Sequence, residues 1–251
     1  MKLLKKAEYR KVTNYLDKYI HLYPIIISVV EGLQEGMIFE NNTSFIIVHK
    51  FGFAYILNKK NGSNVYYKEL VSELLNNVAS SVVKIRMFDP NNYLENDNYF
   101  EKFLSKRIKW KLEKVLEDDI YNENFLQAEK INCDFPIFSE LDLFDRFWNN
   151  CHDFVSFSNA VIWKQKEVFK GICYSAAISD SFTEVDVFVD SSFRNEGIGA
   201  ELVQKYSLLV FKSKRAPLWD CYSNNIASCK LAEKTGFKYL FEYNFYNINT
   251  G

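Results

Sequence analysis

The segment TEVDVFVDSSFRNEGIGAEL, residues 183–202, gathers side chains suited to chemistry in one short stretch. Alternation along a strand places Val185, Val187 and Val189 on one face and Glu184, Asp186 and Phe188 on the other. Two carboxylates displayed side by side can accept a proton from a reacting group; the plain alternative for each is a solvated or salt-bridged surface acid. Gly197 and Gly199 then follow Arg194, in a chain with only nine glycines among 251 residues. They stand at the entry to the helical pattern GIGAELVQKYSLLVF. A helix start offers several backbone N–H groups with no intrahelical partner, and its dipole favours negative charge there. Glycine lets an anion approach that backbone without striking a Cβ, and Arg194 adds a permanently charged planar donor. Such a turn suits a phosphate or pyrophosphate, unless the glycines only turn a strand into a helix.

Three anion-binding loops share this logic. A P-loop requires Lys-Ser/Thr after its last glycine, whereas Gly199 is followed by Ala200 and Glu201. A dinucleotide fingerprint requires a third glycine where Leu202 stands. The pattern R-x-x-G-x-G is satisfied by Arg194, Gly197 and Gly199. A second motif lies downstream in NNIASCKLAEKTGF, residues 224–237, where Asn225, Ser228, Leu231, Ala232, Lys234, Gly236 and Phe237 fit N-x-x-[AS]-x-x-L-[YA]-x-K-x-GF. Together the two motifs resemble those of the GNAT (Gcn5-related) N-acetyltransferase superfamily, over residues 141–246. The wording WDCYSNN and the poorly matching first half look similar to its zwittermicin-resistance-type branch.

The resemblance implies acetyl-CoA as co-substrate and no metal. Pantetheine would lie in a gap beside Val187, Phe188 and Val189. The pyrophosphate would sit on the amides of Asn195, Glu196, Gly197, Ile198, Gly199 and Ala200, with Arg194 supporting the loop. Asn225 would bond the pantetheine or phosphate arm, a role compatible with capping the following helix, and Ser228 would lie close to the thiol. Glu184 is the first candidate for the base that takes the amine's proton, and Asp186 the second. A backbone N–H near Val187 would meet the oxyanion. Many relatives carry a tyrosine at the position of Ala232 to protonate the leaving thiolate; alanine cannot, which leaves Ser228, Tyr222, water or the substrate ammonium. The implied reaction is acetyl transfer to a primary amine of a small molecule, an antibiotic or metabolite among the options. The rivals are a coenzyme A-binding sensor or assembly module without turnover, and a protein N-acetyltransferase.

Around these motifs the chain reads as α/β (α+β), a mixed sheet flanked by helices. The expected domains are residues 1–130, an α/β half readable as a degenerate acetyltransferase-like unit without R-x-x-G-x-G, and residues 131–251, the cofactor-binding half. Helices are expected over 5–19 and 68–79, a hairpin over 44–57 turning at 50–52, a turn cluster at 59–64 and a strand in SSVVKIRMF. Phe100, Phe103, Leu104, Ile108, Leu112, Val115 and Leu116 recur at helical spacing, so 99–116 is expected as a helix whose Lys102, Lys106, Lys109, Lys111 and Lys114 form a solvated face. The second half should place a helix in LDLFDRFWNNC, strands at 160–164, 168–177 and 183–189, a helix over 197–212, a strand at 218–222, a helix over 226–235 and a last strand at 237–246.

A formal net charge of −1 gives no electrostatic case for nucleic acid or an anionic membrane as partner. Five cysteines without a CxxC and three scattered histidines supply no metal-ligand pattern. The run PIIISVV is too short to span a bilayer, and the basic N-terminal stretch has no apolar core of a secretory signal. The expectation is a cytoplasmic monomer or homodimer whose aromatic content, 17%, serves the core.

Overall fold

The computed structural model describes residues 1–59, 66–78, 81–95, 97–115, 125–127, 138, 141–166 and 168–250. In chain order its elements are β1 (Lys2–Leu3), a 3-10 helix (Lys6–Tyr15), α1 (Pro24–Glu31), β2 (Gly36–Glu40), β3 (Ser44–His49), β4 (Phe53–Asn58), α2 (Tyr67–Val78), β5 (Lys84–Asp89), α3 (Asn98–Glu101) and β6 (Leu104–Lys111). There follow β7 (Phe125–Gln127), α4 (Leu143–Arg146), α5 (Cys151–Phe157), β8 (Ala160–Gln165), β9 (Val168–Ile178), β10 (Phe182–Val189), α6 (Ile198–Lys212), β11 (Ala216–Tyr222), α7 (Ile226–Lys234) and β12 (Lys238–Asn249). They divide into two compact units, Met1–Arg107 with Glu242–Gly251, and Ile108–Phe241. The expected boundary between residues 130 and 131 lies outside the described residues, as does most of the turn cluster at 59–64.

In the first unit, β2, β3 and β4 form an antiparallel meander, and β4 pairs parallel with β5. The parallel pair is bridged by α2, whose apolar stripe Leu70, Val71, Leu74 and Val78 is buried at helical spacing against Ile46, Ile56 and Ile85. α1 is buried along nearly its whole length; Pro24 opens it and Gly32, at φ +76°, ends it. Every residue of β3 is buried, including His49. Its Nδ1 accepts the Phe51 amide proton at 3.2 Å, and burial, aided by Lys50, lowers its pKa to about 3. The folded state therefore keeps His49 neutral, while the unfolded chain takes a proton below about pH 6.5. The histidine's contribution is complete above pH 6.5 and is lost as pH falls toward 3. Asp89 slopes the opposite way, because burial raises it to about 6 against the amides of Tyr93 and Leu94. Denaturant unfolding of the wild type and His49→Gln should separate the two. The stability difference between them should shrink by about 3 kcal/mol from pH 7 to pH 4, and a difference independent of pH would show His49 titrating normally.

The helix expected over 99–116 is not formed. Only α3 is helical, and the chain continues as strand β6. Spacings of four, such as Leu104, Ile108 and Leu112, fit a two-residue period as well as a helical turn. Ile108, Trp110 and Leu112 alternate onto one apolar face. The lysines do not line a solvated helix face either, since Lys109 is fully buried.

In the second unit, β7, β8, β9 and β10 are antiparallel neighbours, and β10 pairs parallel with β11 through the crossover helix α6. The helix expected in LDLFDRFWNNC divides into α4 and α5, because Asn150 caps the latter by accepting the Asp153 amide at 2.8 Å. Val185, Ile198, Leu202, Val203, Tyr206, Trp219 and Ala232 form one apolar cluster between the strands and helices α6 and α7. The fold class is as the sequence indicates: mixed α/β, with mixed-sheet strands flanked by helices.

Candidate active site

Two irregularities mark the pairing of β10 in the second unit. Against β9 its register shifts between Glu184 and Val185, where β9 carries the extra residue Ala176. Such a bulge bends the strand and increases its twist. Against β11 the pairing runs only through Phe182–Ala216, Thr183–Pro217 and Glu184–Leu218. Beyond that point the two strands part, and the edge of β10 that faced β11 presents backbone groups with no ladder partner there. Val187, Phe188 and Val189 border this fork and are half-buried. Gly171, opposite Val189, helps shape the same region: a Cβ there would lie 2.7 Å from the Phe188 carbonyl oxygen and 2.9 Å from Leu202 Cδ1. Its lack of a side chain brings α6 close to the end of β10, a role that an isolated strand glycine does not disclose in the sequence.

Past Val189 the chain makes a 3-10 turn at Ser191–Phe193, where Asp190 accepts the Ser192 amide at 2.8 Å. Arg194 Nε donates to the Val189 carbonyl at 3.2 Å and ties the loop back to the strand end. Asn195 and Gly197 both take positive φ, +68° and +87°. Gly197 is the N-cap of α6, whose first intrahelical bonds run from the amides of Ala200 and Glu201 to its carbonyl. The amides of Gly197, Ile198 and Gly199 thus precede the helix's own bonding. Beyond its own chain neighbours, nothing lies within 4 Å of where a Gly197 Cβ would stand, while one at Gly199 would meet Leu231 and Val189 at ordinary contact distances of 3.4 and 3.5 Å. Gly197 thus combines a left-handed backbone angle with open space beside it.

The candidate catalytic residues lie on different faces. Glu184 and Asp186 point away from α6 and α7. Both carboxylate oxygens of Glu184 accept from Lys109 Nζ at 3.1 Å, and the same ammonium lies 2.9 Å from Asp220 Oδ2. Neither Lys109 nor Asp220 was singled out for the site by sequence; the signal available was a lysine amid the alternating residues of β6. Asp186 accepts the Tyr174 hydroxyl at 2.6 Å and has Arg146 Nη2 at 3.8 Å. Burial and the Asp186 charge push the Tyr174 phenol well above its usual range, so it remains a donor. Ser228 lies on the helix side. Its hydroxyl accepts from Trp219 Nε1 at 3.1 Å, and its amide donates to Asn225 Oδ1 at 3.2 Å, which makes Asn225 the N-cap of α7. Burial pushes Cys221 up to about 11 and keeps it a thiol, 3.6 Å from the Cys229 sulfur. Ala232 is fully buried. Among the described residues, no cluster of His, Cys, Asp and Glu is arranged to hold a metal, and no helix is long and apolar enough to cross a membrane.

The end of the β10–β11 ladder and the glycine-bearing start of α6 thus lie at the two ends of one strand segment, 184–189, and the loop that follows it. The family model for GNAT acetyltransferases matches residues 23–246, and the chain belongs to that family. Its match to the uncharacterized N-acetyltransferase YdfB of Bacillus subtilis (strain 168) is 28% identical over 105 residues, 41% of this chain and 40% of that protein. Among solved structures, a GCN5-related N-acetyltransferase-like protein from Streptococcus suis aligns at a TM-score of 0.65 and 15% identity, over 97% of this chain and 99% of that one. A GCN5-related N-acetyltransferase from Kribbella flavida gives 0.59 at 14% identity, over 90% and 95%. A tandem GNAT protein from the clavulanic acid biosynthesis pathway gives 0.53 at 7% identity, over 86% and 82%. At these identities the structural likeness is one of fold.

Proposed function

We propose that the protein transfers an acetyl group from acetyl-CoA to a primary amine of a small molecule. The observation that carries this reading is the parting of β10 from β11 directly after Glu184, with the Arg194–Gly199 turn at the far end of the same strand. The residues fit the co-substrate. Val187, Phe188 and Val189 would hold the pantetheine arm along the open strand edge, and the amides of 195–200 would receive the pyrophosphate, with Arg194 holding the loop. Asn225 would fix the start of α7 beside the arm, and Ser228 would approach the sulfur from the helix side. When bound, acetyl-CoA supplies an activated thioester. The chain's own task is to orient an amine and take its proton, which we assign to Glu184, with Asp186 as the second carboxylate on that face. The buried thiol of Cys221 speaks against an acyl-cysteine step.

The β4–α2–β5 unit repeats the order of β10–α6–β11: an antiparallel meander ending in a parallel pair bridged by a helix. That repeat, together with the likeness to a tandem GNAT protein, supports reading the first unit as a second, non-catalytic copy of the fold.

Thermal shifts with acetyl-CoA, coenzyme A, NAD and ATP side by side test the assignment. At about 100 times its dissociation constant a ligand adds roughly 2.7 kcal/mol, or about 5 to 10 °C for a chain of this size. The two coenzyme A species alone should produce it. A shift with NAD or ATP instead, or none with either coenzyme A species, would overturn the reading, whereas binding without turnover over a broad amine panel would favour a sensor role.

A further inference from the structure

Two thiols touch beside the start of α7. Cys221 stands near the end of β11 and Cys229 one turn into α7, with their sulfurs 3.6 Å apart. Both are free cysteines; Cys221 is buried and Cys229 half-buried. A disulfide holds its sulfurs at about 2.05 Å, so closing one here takes an approach of roughly 1.5 Å. Cys221 is fixed in the apolar cluster with Trp219, Ala232 and Phe237. Cys229 belongs to the outer side, where Asn224, Asn225, Ile226 and Ala227 are exposed and the Cys229 amide donates to the Asn225 carbonyl at 3.0 Å. One sulfur that a reagent can reach, with a second in contact behind it, is the arrangement of an attacking and a resolving thiol. The loop that such a bond closes, residues 221–229, contains Asn225 and Ser228. Ser228 is tied to both sides, accepting from Trp219 Nε1 at 3.1 Å and donating its amide to Asn225 Oδ1 at 3.2 Å, so a shift of Cys229 is passed to both residues.

We propose that Cys221 and Cys229 are a covalent modification site, closed to a reversible disulfide by a low-molecular-weight disulfide, and that closure weakens acetyl-CoA binding. The second half rests on the acetyl-transfer reading above, which sets Asn225 and Ser228 beside the pantetheine arm. Cys229 gives up its proton and its sulfur attacks one sulfur of the reagent R–S–S–R. A mixed disulfide forms, the reagent's own S–S bond breaks, and the departing R–S⁻ takes up a proton. The Cys221 sulfur then attacks the Cys229 sulfur, and the second R–S⁻ leaves with the Cys221 proton. Two protein thiols have been oxidised to one disulfide, and one R–S–S–R has been reduced to two R–SH. Excess thiol runs the same steps backwards. Burial makes Cys221 the slower nucleophile, so the adduct on Cys229 forms first. Joining Cys229 to Cys221 draws the first turn of α7 toward β11 and displaces Asn225 and Ser228 from the arm they border in the reduced protein.

The test treats the full chain with glutathione disulfide, maps its disulfides by peptide mass spectrometry, and measures acetyl-CoA binding by calorimetry before treatment, after it, and after reduction with dithiothreitol. The wild type should yield a peptide pair linked through Cys221 and Cys229. Its Kd for acetyl-CoA should rise about tenfold, the loss of one or two hydrogen bonds, and return on reduction. Cys221→Ser should stop at the glutathione adduct on Cys229. Cys229→Ser should leave Cys221 unmodified, and its Kd should not respond to the treatment. Circular dichroism checks that the treated wild type and both variants are folded. If Cys221→Ser does not fold, Cys229→Ser decides alone: a Kd that no longer responds supports the proposal, and one that rises as in the wild type sinks it. A wild type that gives no Cys221–Cys229 link, or one that links with its Kd unchanged, overturns the proposal. If the reduced wild type binds no acetyl-CoA, the acetyl-transfer reading falls separately. The mass map then decides the thiol pair: a reducible Cys221–Cys229 link supports it, and its absence overturns it.

Discussion

Glu184→Gln should lower kcat for amine acetylation by about 10²- to 10³-fold at neutral pH, with the dissociation constant of acetyl-CoA changed by no more than about twofold. The amide keeps the size and the hydrogen-bonding acceptor of the acid, so the Lys109 contact can persist while the ability to take a proton is gone. The cofactor cradle proposed at 187–189 and 194–200 is formed by other residues, so binding and chemistry separate in this variant. Steady-state kinetics with calorimetry of acetyl-CoA binding would measure both. Full activity would shift the base to Asp186 or to water. An equal loss in binding would mean that Glu184 braces the fork rather than serving the reaction.

Gly197→Val should raise the dissociation constant of acetyl-CoA by about 100-fold, equivalent to about 2.7 kcal/mol. The position holds φ +87° and, beyond its own chain neighbours, has nothing within 4 Å of where a Cβ would stand. A β-branched side chain there carries a left-handed backbone cost of roughly 1 to 2 kcal/mol and fills the volume proposed for a phosphate. That cost is local, so the thermal unfolding profile should stay cooperative while the ligand-induced shift disappears. Gly199→Ala is the contrasting variant, since its Cβ would rest at ordinary contact distance on Leu231 and Val189. It should bind acetyl-CoA within about threefold of wild type, because a methyl group there strikes nothing and alanine favours the helix. Equal effects at the two glycines would remove the distinction between them, and unchanged binding in Gly197→Val would remove the phosphate-loop assignment.

Much of the second unit was legible in sequence because its signals are local. Alternation in TEVDVFV sets which side chains share a face, the Gly197 turn needs a backbone angle that few residues tolerate, and Asn225 caps a helix three residues ahead of its bonding partner. Each depends on neighbours within one turn or one strand pitch. The stretch 99–116 was misread for a related reason: a spacing of four satisfies both a helical turn and a strand's alternation, and only pairing partners distant in sequence decide between them. Strand formation at β6 then turned Lys109 from an apparent surface lysine into a buried cation.

The sequence by itself determined the family motifs, the mixed α/β class and the two carboxylates on one face of β10. Tertiary structure alone decided what surrounds those carboxylates. The length of the β10–β11 ladder, the bulge opposite Glu184 and the approach of α6 over Gly171 arise from contacts between segments tens of residues apart. So does the meeting of Lys109, Glu184 and Asp220, three residues on three strands. No periodicity in the chain encodes that meeting; it exists only because the strands carrying them come together and bury the lysine between two carboxylates.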